Sequence, residues 1–141
     1  MKIIISVLAL LLVTSAIYSQ SRDSLVSLYN TQTIYNFGNK FIKGDQKLTY
    51  KDLEKEFTST STVLLYKKSK SRLAVSRIFN VASLGVIIAS IFTKTTVNGS
   101  IEFALGTGAL ALGGQHFQTN SAKFLDRAIW EHNREVLTGY R

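Results

Sequence analysis

Two apolar runs dominate the chain, residues 78–92 and 103–114, with a polar stretch at 93–100 between them. The first carries no charge between Arg77 and Lys94, and the second is rich in Gly and Ala. With their flanks they predict a hydrophobic helical hairpin, about 73–92 and 101–116, turning at Asn98-Gly99. Small residues mark where two helices can approach closely. Gly85 and Ala89 lie on roughly one face of the first run, and Ala104/Gly108 and Ala109/Gly113 are small-xxx-small pairs in the second. Helix packing is therefore expected at Gly85, Ala89, Ala104, Gly108, Ala109 and Gly113. Asn80, a lone polar group in the first run, is expected to find a partner on the facing helix.

The flanks show weaker periodicity. Residues 21–30 fit either a short helix or a strand. Between 31 and 48, β-branched and aromatic residues alternate with the turn signals at 36–39 and Gly44-Asp45, which predicts two or three short strands. Such a meander must pack on something else to be stable. Thr49 and Asp52 have the spacing of a capping box and open a helix at about 50–57, with Tyr50, Leu53 and Phe57 on one face. The Ser/Thr run at 58–62 supplies a second cap, from which the chain can continue helical into the first apolar run. A terminal amphipathic helix is expected at about 120–137, capped by Asn120 or Ser121 and stopped by Gly139, with Phe124, Leu125, Ala128, Ile129 and Val136 as its apolar stripe. The fold class is mainly α: the hairpin, its flanking helices and a small strand-turn region at about 31–48.

The first residues read as an export signal. Lys2 is the positive start, 3–13 the apolar stretch and 14–19 the small, polar cleavage region. Cleavage after Ala16 or after Ser19 fits, and the second is preferred. The domain organisation expected is then a signal peptide at 1–19, an exported strand/helix region at 20–62, a basic segment with the hairpin at 63–117, and the C-terminal helix at 118–141. Export makes nucleic acid a poor partner for a chain of net charge +8.

Charge placement matters more than its sum. Lys67, Lys68, Lys70, Arg72 and Arg77 precede the first apolar run, and no acidic residue occurs between Glu56 and Glu102. A membrane-surface patch on anionic head groups is the preferred reading, with a solvated helix face and an acidic partner as the other two. If both runs span a membrane after export, this patch lies outside, against the positive-inside rule. An outer membrane, a re-entrant hairpin or burial in protein would each remove that conflict.

The chain has no cysteine, which excludes disulfides, thiolate metal sites, a Cys nucleophile and lipid attachment at a processed N-terminus. His116 and His132 lack partners at metal-ligand spacing. Asp52, Glu54 and Glu56 are spaced by two, so they do not converge on one helix face as a paired acid and base would. No catalytic, cofactor or metal site is expected, and the chain is not read as an enzyme.

The layout resembles that of small Bacteroidota-type envelope proteins of unknown function. The shared features are a signal ending before Gln20, a short strand-turn region, the stretch Leu65-Tyr66-Lys67-Lys68, a Gly-rich hydrophobic hairpin and a terminal helix over 128–137. That resemblance implies no activity and no site residues. The expected role is structural or interaction, in an exported, membrane-associated envelope protein whose hairpin anchors or oligomerises. Membrane lipid is the expected partner, with a second copy or another envelope protein as further ones. The alternative is a periplasmic or secreted binding module whose hairpin is its own core.

Overall fold

The computed structural model describes residues 22–38, 40–92 and 97–139. The expected signal peptide at 1–19 lies outside these residues, as does the first half of the expected turn at 93–100. Helix α1 covers residues 22–32, so the described part of the ambiguous 21–30 stretch is helical. Three strands follow: β1 (Ile34–Phe37), β2 (Lys40–Lys43) and β3 (Gln46–Leu48). A short α2 (Leu53–Glu56) leads to two long helices, α3 (Thr60–Phe92) and α4 (Val97–Thr138). The molecule is thus mainly helical, with α3 packed on α4 and a small antiparallel sheet. It divides into two compact units. Of the described residues, one unit comprises those up to Leu53 together with those from Glu131 onward, and the other those from Glu54 to Trp130.

In the first unit the sheet order is β1-β2-β3. Both hairpins close with two-residue turns, since Phe37 pairs with Lys40 and Lys43 with Gln46. Each turn opens with a glycine at positive φ, Gly38 at 63° and Gly44 at 54°, as the first position of a primed hairpin turn requires. Phe37 therefore ends β1 instead of lying in the turn. The outer edge of β1 is closed by one side chain. Asn133 Oδ1 accepts from the Ile34 N–H at 2.8 Å, and Asn133 Nδ2 donates to the Ile34 carbonyl at 2.9 Å. That amide completes the hydrogen bonding of a buried backbone unit as a neighbouring strand would. Thr33, Ile34, Phe41, Leu53 and His132 are buried in this unit. The capping box is formed: Asp52 Oδ2 accepts from the Thr49 N–H at 2.8 Å and from the Thr49 hydroxyl at 2.6 Å. Residues 50–52 are nevertheless turns, so the helix expected at 50–57 shrinks to α2.

In the second unit Ser59 caps α3. Its carbonyl accepts from the Val63 N–H at 3.0 Å, and its hydroxyl oxygen from the Thr62 N–H at 3.3 Å. Helix α4 corrects the expected break between a hairpin arm ending near 116 and a separate helix from 120. It runs unbroken, and the polar side chains in the expected linker bond along the helix and not across its end. Thr119 Oγ1 donates to the Gln115 carbonyl at 3.0 Å, and Asn120 Nδ2 lies 2.9 Å from His116 Nε2, both at four-residue spacing. With no proline in the chain, nothing forces a stop. The Asn98-Gly99 signal likewise falls inside the first turn of α4, where backbone N–H groups need no helical partner.

Candidate functional site

The distinctive surface of this protein belongs to the α3–α4 hairpin, and the seam between the helices explains it. Hydroxyl residues recur at every seventh position of α3: Thr62, Ser69, Ser76, Ser83 and Ser90. The first four are buried. On α4 the same spacing gives Thr107, Gly114, Ser121 and Ala128, all small. The two rows meet in antiparallel register. Ser69 Oγ donates to the Ser121 carbonyl at 2.9 Å, and Ser121 Oγ donates to the Ser69 carbonyl at 2.9 Å. One register step further, Ser76 Oγ donates to the Gly114 carbonyl at 2.8 Å. A side-chain hydroxyl reaches a facing main-chain carbonyl only when two helices are close, and the small row on each helix permits that approach. Continuing the register sets Thr62 opposite Ala128, both with no exposed surface, and Ser83 opposite Thr107.

Larger residues flank this line. The ring of Phe79 stacks on Phe117 with centroids 5.5 Å apart and lies over Gly113, where a Cβ would come within 2.9 Å of it. A Cβ at Gly114 would come within 2.5 Å of Asn80 Oδ1, so Asn80 does lie against the facing helix. Of the six residues expected to pack, Gly113 is at the seam. Gly85 and Gly108 have open space where a Cβ would stand, and Ala89, Ala104 and Ala109 are exposed. The contact line is therefore carried by hydroxyls, Gly114 and Ala128, which a search for Gly/Ala pairs passed over. A role for the five outward-facing residues requires a surface beyond this hairpin.

Along its length the hairpin changes character. In the half nearer Thr60, the buried residues include Phe57, Tyr66, Leu125, Ala128 and Ile129, with the Phe57 and Tyr66 rings 5.6 Å apart. This is an ordinary apolar core. In the half towards Phe92 the outside is apolar instead. Ile78, Val81, Leu84, Ile87, Ile88, Ile91 and Phe92 on α3 are exposed, Phe92 by 82%. Ile101, Leu105 and Leu112 on α4 are exposed as well, Leu105 by 70%. Together they make an apolar sleeve around a hydroxyl-lined seam. Among the described residues, α3 is the one helix long and apolar enough to cross a membrane, and only 11% of its apolar 18-residue segment is buried.

The basic residues adjoin this sleeve. Lys67, Lys68, Lys70, Arg72 and Arg77 are all exposed on α3. Lys70 is paired with Glu54 at 3.0 Å. Lys68 sits over the Phe124 ring at 6.0 Å and Arg72 over the Phe117 ring at 5.4 Å, so two of the cations lean onto aromatic faces of α4. Exposed Lys123 stands one turn before Arg127 on α4, level with Lys67 in the seam register.

Other chemistry is sparse. Among the described residues no group of three His, Asp or Glu side chains is placed to hold a metal ion. His116 packs edge-on to Phe117, with centroids 5.8 Å apart, and His132 is buried. A polar, open depression of about 450 Å³ is lined by Asn30, Thr31, Gln32, Lys43, Gly44, Asp45 and Gln46. The Tyr29 hydroxyl is held above the ordinary phenol range, chiefly by its hydrogen bond with Tyr35 and also by charge repulsion from it. No protein-family model matches the chain, and neither the curated proteins nor the solved structures provide a match.

Proposed function

We propose that this chain is an exported, membrane-associated envelope protein of structural or interaction role, anchored by insertion of the α3–α4 hairpin. The observation carrying this reading is the inversion of the distal half. There the seam register sets buried Ser83 level with half-buried Thr107, while isoleucines, leucines and Phe92 face outward. In water such an arrangement leaves a contiguous apolar surface uncovered, which exposed patches of this kind rarely survive without a partner. In hydrocarbon it is the expected one, because acyl chains cover the apolar exterior and small or hydroxyl residues join the helices. The soluble alternative requires a protein surface to cover the same residues.

The fifteen residues 78–92 cover about 22 Å, less than the roughly 30 Å hydrocarbon core. Insertion from one side without full crossing fits this length and leaves the basic segment on the entry side, so the positive-inside conflict does not arise. Alkaline carbonate extraction of membranes from expressing cells tests the reading. Retention in the pellet, lost on Ile88→Asp, is expected. Release of the unmodified protein into the supernatant would overturn it.

A further inference from the structure

We infer that the cations at the foot of the sleeve form a collar for the phosphates of an anionic lipid bilayer, and that this collar sets how deeply the hairpin enters. The inference rests on the membrane reading above and adds the chemistry of the lipid and the depth of the protein. Its members are Lys67, Lys68, Arg72, Arg77 and Lys123. They come from both helices, and all lie within three turns of the point where the exterior turns apolar at Ile78. Charge complementarity selects the occupant. From residue 57 to residue 125 the chain carries a single carboxylate, Glu102, which lies at the opposite end of the sleeve from the collar. Asp126, three residues from Lys123, and Glu54, paired with Lys70, lie just beyond that range, so the collar keeps an excess of positive charge in the band where a hairpin buried to Ile78 meets head groups.

Two details favour a lipid phosphate plane. Arg72 and Lys68 lie across the Phe117 and Phe124 rings, which spreads charge around the hairpin instead of along one stripe. Long aliphatic stems also let Arg77, the cation nearest the sleeve, keep its stem in the apolar layer and its guanidinium among phosphates. Each basic residue near an anionic surface strengthens binding about fivefold, and salt weakens the effect.

The test is flotation of the purified full chain with two kinds of vesicle, phosphatidylcholine alone and phosphatidylcholine mixed with phosphatidylglycerol. Unmodified protein is expected to bind the mixed vesicles much more tightly. The triple variant Lys67→Gln, Lys68→Gln, Arg72→Gln is expected to lose about a hundredfold on mixed vesicles and little on neutral ones. The charge-conserving Lys67→Arg, Lys68→Arg, Arg72→Lys variant is expected to keep the preference, which separates charge from any change in folding. Equal binding of unmodified protein to both vesicles would overturn the collar and leave the membrane reading standing. Binding to neither would overturn both.

Discussion

The two halves of the α3–α4 hairpin share a backbone design and differ in what surrounds it. The rows of hydroxyls on α3 and small residues on α4, each seven apart, run through both halves. Near the Ser59 cap, that line is flanked by Tyr66, Leu125 and Ile129, all buried, and the exterior carries most of the charge, with Leu64 and Trp130 exposed among it. Towards Phe92 the flanking apolar residues point outward, with Ile91 exposed by 74%. The interhelical hydrogen bonds of Ser69, Ser76 and Ser121 lie on the near side of Ile78, and the two halves differ in where their large apolar side chains face. In the near half, apolar burial supplies the stability. In the far half, close packing and the helices' own hydrogen bonds must supply it, as between helices in lipid.

This contrast can be broken most severely at Tyr66. Tyr66→Ala removes a ring that is 1% exposed, and a loss of about 3–5 kcal/mol is expected in denaturation of the detergent-solubilised protein. Leu84→Ala, in the far half, is expected to change it by less than about 0.5 kcal/mol. Comparable losses at the two positions would mean that the far half also has an internal core.

Glycines sharpen the same comparison. Gly114→Leu drives a side chain into Asn80 and the Phe79 Cβ, and a loss of about 1–3 kcal/mol is expected. A Cβ at Gly108 meets nothing within 4 Å, so Gly108→Leu is expected to cause no loss and, through helix propensity, a gain of up to about 1 kcal/mol. Thermal unfolding in detergent measures both. The smallest of these effects belongs to the seam hydroxyls. Ser69→Ala removes one interhelical hydrogen bond, for an expected loss of about 1 kcal/mol, read by denaturant titration.

Much of the helical skeleton was legible in the chain. The apolar runs placed both hairpin arms, the Thr49 and Asp52 spacing announced its hydrogen bonds, and Gly44 with Asp45 marked the second β-turn. The continuity of α4 was not legible, because residues 115–121 have the polar composition of a loop. Their helical state goes with tertiary packing that composition does not display, Phe117 on Phe79 and Ser121 against Ser69. The contact line was obscured for a different reason. Gly and Ala are the usual signs of close helix approach, yet here serines do that work, and Gly85 and Gly108 stand in open space. The signal was present as a period: hydroxyls seven apart from Thr62 to Ser90, matched by small residues seven apart from Thr107 to Ala128. Burial against solvent exposure within the apolar runs depends on which side of that period each residue falls, so a count of hydrophobic residues alone does not reveal it.

The most direct test of the inverted far half uses the absence of native cysteine. Single substitutions Leu84→Cys and Leu64→Cys place one thiol on the exterior of each half, since both side chains are exposed. Each thiol, labelled with an environment-sensitive fluorophore, is read on vesicle-bound protein with a quencher carried on the lipid acyl chains. Strong quenching at position 84 with little at position 64 is the result expected if the apolar exterior lies in hydrocarbon. Equal, weak quenching at both positions would contradict it and assign residues 78–112 to a protein partner or an aqueous surface.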